Sequence, residues 1–196
     1  MTLDKQSFVS TMQDLLFNQE LPIDIPYSKS HIQLTADSGD EDLIQTVIGQ
    51  GKTQITPLHL CMITSAIAND GLLMRPYEME RIESADGKII KQFQAQQYRR
   101  LMTSEEAAAL RGLMTDVVEE GTASRLSGLT YTAAGKTGSA EFNQNKADSH
   151  AWFTGFAPAD HPEIAVTVII EGIGSGSDYA VPIAKRIFDA YFNAGF

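Results

Sequence analysis

A chain of 196 residues, 43% apolar and 20% charged, can bury the core of one domain or form part of a larger one. Fifteen Lys and Arg against 25 Asp and Glu leave a net charge of −10, which argues against sequence-independent nucleic-acid binding, with its need for a basic stripe, and leaves room for a local basic pocket. No run of about 18 apolar residues occurs and Met1-Thr-Leu-Asp-Lys5 has no leader pattern, so an anchor or targeting segment would belong to sequence outside these residues.

Gln6–Asn18 places Phe8, Met12, Leu15 and Leu16 at helical spacing. Leu21-Pro-Ile-Asp-Ile-Pro26 has two prolines too close together for a helix and reads as extended chain. Ser28–Asp42 is polar, and Ala36–Asp42 reads as an exposed loop. Thr56-Pro57 opens a helix, with the threonine as cap and proline in the first turn. Leu60, Ile63, Thr64 and Ile67 share its inner face, and Asn69-Asp-Gly71 ends it. Cys61, the one cysteine, cannot form an internal disulfide and reads as a small buried hydrophobe on this helix.

Glu78–Ile82 and Lys88–Phe93, joined around Asp86-Gly87, predict a β-hairpin. Thr103-Ser-Glu-Glu106 is a capping box. It is followed by an apolar stripe of Leu110, Leu113, Met114, Val117 and Val118, with the helix ending before Gly121. Three strands follow, at about Thr132–Glu141, His150–Ala157 and Ile164–Glu171; the last is β-branched almost throughout. Gly172–Gly176 is a glycine-rich loop, with Gly174–Ser177 read as a flexible turn. It leads to a helix whose face is Ala184, Ile187, Phe188, Tyr191 and Phe192. The order predicts one domain over 1–196 of the α+β class, an antiparallel sheet covered by helices.

Two Gly-Lys-Thr triplets occur, at 51–53 and 135–137. A phosphate-cradling loop requires a glycine five positions before the second one; those positions hold Thr46 and Thr130, so neither triplet qualifies. The histidines are scattered without metal-ligand spacing, and neither a metal nor a cofactor is expected. His59 reads as a core or boundary histidine, His150 as a solvated loop histidine, and Glu119-Glu120 as solvated carboxylates at a helix end.

Gly135-Lys-Thr-Gly-Ser139 carries more. On a strand, Lys136 and Gly138 face one side, Thr137 and Ser139 the other. Gly138 would let another backbone approach. Lys136 supplies a fixed positive charge, and the hydroxyls can hydrogen-bond a carboxylate; from these four residues alone, an exposed strand with a solvated lysine is an equal alternative.

Lys136-Thr-Gly-Ser139 followed by Trp152-Phe-Thr-Gly-Phe-Ala157 resembles the third active-site motif of the penicillin-binding proteins. Ile48-Gly-Gln-Gly51, Thr56-Pro-Leu58, Asn69-Asp-Gly71 with Arg75-Pro76, and Glu119-Glu-Gly-Thr-Ala123 agree in order, so the resemblance runs from about Leu21 to the end. It implies part of a transpeptidase/β-lactamase-like fold and a D,D-transpeptidase that cross-links peptidoglycan stem peptides through an acyl-enzyme. By the same resemblance, Lys136 holds the active-site hydrogen bonds. Thr137 and Ser139 receive the terminal carboxylate of a stem peptide or β-lactam beside Gly138, and the Ser139 backbone N–H is one oxyanion donor. Trp152 and Phe153 read as core and cleft wall, and Gly174–Ser177 lies near the Lys136 strand if the family's strand order is kept.

The family's other two motifs, Ser-x-x-Lys and Ser-x-Asn, do not occur in these residues; Thr2 and Lys5 alone have the hydroxyl-to-lysine spacing. The chain is therefore expected to be the C-terminal part of a transpeptidase domain, unable to acylate by itself. The strand at Ile164–Glu171 is expected to have an open edge that invites self-association. The family resemblance also implies an extracytoplasmic location, with the membrane reached only through an N-terminal anchor outside this sequence. The competing readings are a non-catalytic module that binds peptides or β-lactams reversibly, and a serine hydrolase of the β-lactamase type.

Overall fold

The computed structural model describes residues 4–35, 37–141 and 149–193. Thr2 and Ala36, named above, lie outside them. The first helix, α1 (Lys5–Asp14), starts at Asp4, whose carboxylate accepts from the Ser7 N–H. It stops four residues short of the predicted end because Leu16 and Asn18 take positive φ. Its end is held from afar: Arg99 donates to the carbonyls of Gln13 and Asp14, and His59 Nε2 lies 2.8 Å from the Leu15 carbonyl. The proline-containing stretch is irregular rather than helical, as its composition requires.

The structure corrects the exposed-loop reading of Asp40–Asp42, which form the first turn of a second helix, α2 (Asp40–Val47). Three carboxylates in a first turn favour the helix macrodipole, and Lys5 pairs with Asp40 at 2.8 Å. Next comes α3 (Pro57–Ala68), capped by Thr56 as expected, its end turned by Gly71 at φ 83°. Leu60 is only half-buried; the buried positions on α3 include His59, Met62 and Ala66 as well as Ile63, Thr64 and Ile67. Cys61 is half-buried, and burial raises its thiol pKa.

The hairpin is present as β2 (Arg81–Glu83) and β3 (Ile89–Gln92), antiparallel and exposed on both strands. It is bracketed by a pair the periodicity did not reveal, β1 (Leu72–Arg75) with β4 (Gln96–Arg100). The capping box opens α4 (Ser104–Glu119) through reciprocal Thr103 and Glu106 bonds. Its stripe is narrower than predicted. Met114 and Val118 are buried, whereas Leu110 and Leu113 are 37% and 63% exposed.

The site lies on the three-stranded antiparallel sheet of β5 (Ala134–Glu141), β6 (Ser149–Ala157) and β7 (Ile164–Ile170), in that spatial order. One face packs Ala134 and Phe156 into a core with α3; Thr64 of α3 meets Thr154 of β6 at 2.6 Å. The other face packs Phe153, Val166 and Val168 against Val181, Ala184 and Phe188 of α5 (Val181–Asn193). Ile187, assigned to that face from its spacing, is 37% exposed. Among the described residues β7 pairs with β6 alone, so its second edge is bare. The fold is α+β, helices against an antiparallel sheet.

Candidate functional site

The alternation predicted for β5 holds. Lys136 pairs in register with Thr154 and shares the α3 face; Thr137 pairs with Phe153 and shares the α5 face. Gly135 is glycine because a Cβ there would stand 2.5 Å from the Phe153 ring. The entry to β5 is tied to the β6–β7 turn through Thr132, whose hydroxyl donates to Asp160 and accepts from the Ala159 N–H.

Three segments converge on residues 136–139. Lys136 is exposed, forms no ion pair among the described residues, and curls so that its Nζ donates to the Thr137 carbonyl at 2.8 Å. The Thr137 hydroxyl lies 2.6 Å from that of Thr122. Thr122 is aimed there by the end of α4: Gly121 packs where a Cβ would meet the Val117 carbonyl at 2.9 Å, and Ala123 N–H bonds the same carbonyl. The Ser139 hydroxyl accepts from the Gly176 N–H, and the Ser139 carbonyl from Gln50 Nε2, each at 3.4 Å. Gln50 follows α2 between two left-handed glycines, Gly49 and Gly51.

The close backbone approach expected of Gly138 is present, but Gly176 provides the room. A Cβ on Gly176 would collide with the carbonyl oxygens of Trp152 and Gly138. Gly174–Ser177 is therefore no loose turn: from Gly176 it forms a π-helical turn, Gly176–Ala180, seated on β5 and β6. Beside it, Arg125 and Asp178 form an exposed pair at 3.4 Å. His150 is a correction too; it lies in β6, and its Nδ1 accepts from the Gly172 N–H at 3.1 Å. Phe153 is wholly buried and Trp152 half-buried. Glu119 and Glu120 are exposed, and no cluster of three metal-ligating side chains occurs among the described residues.

Sequence reasoning assigned no role to Gln50, Thr122 or Gly176. Each lies in a quoted motif or loop with a glycine beside it or at its own position, and that was the available signal. Two grooves of about 560 and 630 Å³ flank Arg75–Tyr77, and neither includes 136–139. The candidate site is instead an open strand margin bearing an ammonium, hydroxyls and backbone groups. Such a margin can receive an extended, negatively charged chain end.

Residues 2–189 match the family model described as the penicillin-binding protein transpeptidase domain. The chain is 33% identical over 171 residues to the peptidoglycan D,D-transpeptidase MrdA of Haemophilus influenzae, covering 78% of this chain and 26% of that protein. It is 34% identical over 155 residues to the peptidoglycan D,D-transpeptidase PbpA of Mycolicibacterium smegmatis, covering 76% and 31%. The chain thus spans about a quarter to a third of the curated relatives it matches. Penicillin-binding protein A from M. tuberculosis, solved as an imipenem acyl-enzyme complex, superposes with a TM-score of 0.82 at 29% identity, over 93% of this chain and 41% of that one. Pseudomonas aeruginosa PBP2 in complex with WCK 5153 superposes at 0.78 and 30% identity, over 96% and 44%.

Proposed function

This chain belongs to the penicillin-binding protein transpeptidase family, and on that premise we propose that it forms the strand-side wall of a peptidoglycan D,D-transpeptidase site, as the C-terminal part of the domain. The observation that carries the reading is the convergence of Thr122, Gln50 and Gly176 on the Lys136–Ser139 margin. Three separate motif segments meet there around one cation and two hydroxyls.

In this reading Lys136 draws the carboxylate of a stem peptide or β-lactam to the margin. Thr137 and Ser139 hydrogen-bond it, Gly138 keeps the strand slim, and the Ser139 N–H is one oxyanion donor. One such donor is worth about 3–4 kcal/mol in the transition state. A serine from a Ser-x-x-Lys segment, which these 196 residues do not contain, would attack the carbonyl. The same reading places the whole protein outside the cytoplasmic membrane, anchored by a segment beyond this sequence. It also expects the bare edge of β7 to drive self-association of the isolated chain, read as a mass above 21.4 kDa in light scattering.

Labelling with a fluorescent penicillin tests the reading. The polypeptide that joins this chain to its Ser-x-x-Lys and Ser-x-Asn segments should hold a stable covalent label, and the isolated chain none. Rapid loss of the label would mean a hydrolase, no adduct on the longer polypeptide a binding module, and a label on the isolated chain would overturn the assignment of the nucleophile.

A further inference from the structure

Carbonyls two residues apart on a strand point the same way. Those of Thr137 and Ser139 both accept from side chains, Lys136 Nζ and Gln50 Nε2, on the margin of β5 that β6 does not cover. A bare strand edge is a template for pairing. Here it is closed by an ammonium and a carboxamide, and a carboxamide has the chemistry of a backbone amide. Gln50 therefore stands where an added strand would place its own N–H.

Its position is set rather than incidental. The turn after α2 is fixed by Gly49 N–H to the Thr46 carbonyl at 3.0 Å and Gln50 N–H to the Gln45 carbonyl at 2.8 Å, with Gly49 and Gly51 at φ 75° and 70°. That turn presents a half-buried Gln50 side chain across 89 positions of sequence to β5.

We propose that Gln50 guards the substrate margin: its carboxamide occupies the Ser139 carbonyl and must leave before an extended, carboxylate-ended peptide or β-lactam can pair with β5. The inference deepens the transpeptidase reading and rests on it. Gln50 is a positioning residue that opposes ligand entry, so removing its N–H donors should tighten binding. A purely structural role predicts the reverse.

The test uses benzylpenicillin and the full-length polypeptide carrying this chain, with the dissociation constant resolved from the first-order acylation step. Gln50→Met keeps length and packing without a donor, and Gln50→Ala removes the reach. Both should lower the dissociation constant between about two- and tenfold, the worth of one net hydrogen bond, and leave the acylation step unchanged. An unchanged or raised constant in a folded variant overturns the proposal. If either variant fails to fold, the unaltered protein answers: the Gln50 carboxamide resonances must shift on saturation with penicillin, and resonances that stay in place overturn it. An unaltered protein that takes no penicillin removes the underlying reading and this one together; binding indifferent to Gln50 removes this one alone.

Discussion

The hydroxyl oxygens of Thr122 and Thr137 lie 2.6 Å apart, joining the turn after α4 to the strand that carries Lys136. Two hydroxyls in one hydrogen bond leave a single proton free to donate outward. The pair therefore acts as one oriented donor. Thr122→Val keeps the shape but loses the orientation. It should slow penicillin acylation of the full-length protein about two- to tenfold, with the melting temperature nearly unchanged. Thr122→Ser should restore the rate. Equal rates for valine and threonine would show that the pair does not orient the ligand.

Gly176 is seated against two carbonyls of the sheet. Gly176→Ala must push the π-helical turn off β5, at a cost of about 1–3 kcal/mol as in other overpacked sites. A denaturant midpoint measures this. An unaltered midpoint would mean that the turn moves freely.

His59 is fully buried, with its Nε2 at the Leu15 carbonyl and no partner for Nδ1 among the described residues. Burial lowers its pKa, against the smaller opposing pull of the Leu15 carbonyl. The unfolded chain thus binds a proton there, below about pH 6.5, that the folded chain refuses. Stability is complete above that pH and falls as pH drops toward the folded pKa, by up to about 1.4 kcal/mol per pH unit. His59→Gln should flatten the slope in urea titrations between about pH 5 and 7; parallel slopes for the two proteins would refute this.

Tyr131 donates to Asp189 at 2.7 Å, and Lys185 holds the other carboxylate oxygen at 2.6 Å. Burial first, then the carboxylate, raises the phenol pKa, while Lys185 and Tyr131 lower that of Asp189. Tyr131→Phe keeps the stacking on Phe192 and loses only this bond. It should cost about 1 kcal/mol of stability. A loss several times larger, by thermal or urea unfolding, would show that the ring packing had been disturbed as well.

Where a local signal exists, the structure was legible in the sequence. Thr56-Pro57, the Thr103–Glu106 box and the β-branched run of β7 act within a few residues, and each formed its element. The α2 helix was missed because Gly39 offers no capping side chain and its first turn is acidic, which reads as loop until the macrodipole is considered. β1 and β4 were missed because strands of four and five residues owe their pairing to each other. At the site, the facing of Lys136 and Thr137 followed from strand alternation alone. The partners did not: Gln50 is 89 positions from Ser139, and no periodicity carries that distance.

No residue of α1 is buried, and ten residues make a marginal helix alone. Yet its last carbonyls are clasped by Arg99 of β4 and its exit by His59 of α3. The helix is riveted at one end to two distant parts of the chain. Amide protons near Asp14 should therefore exchange with the slow cadence of the interior, while those of the first turn, where only the Lys5 side chain reaches across to Ser38 and Asp40, exchange faster.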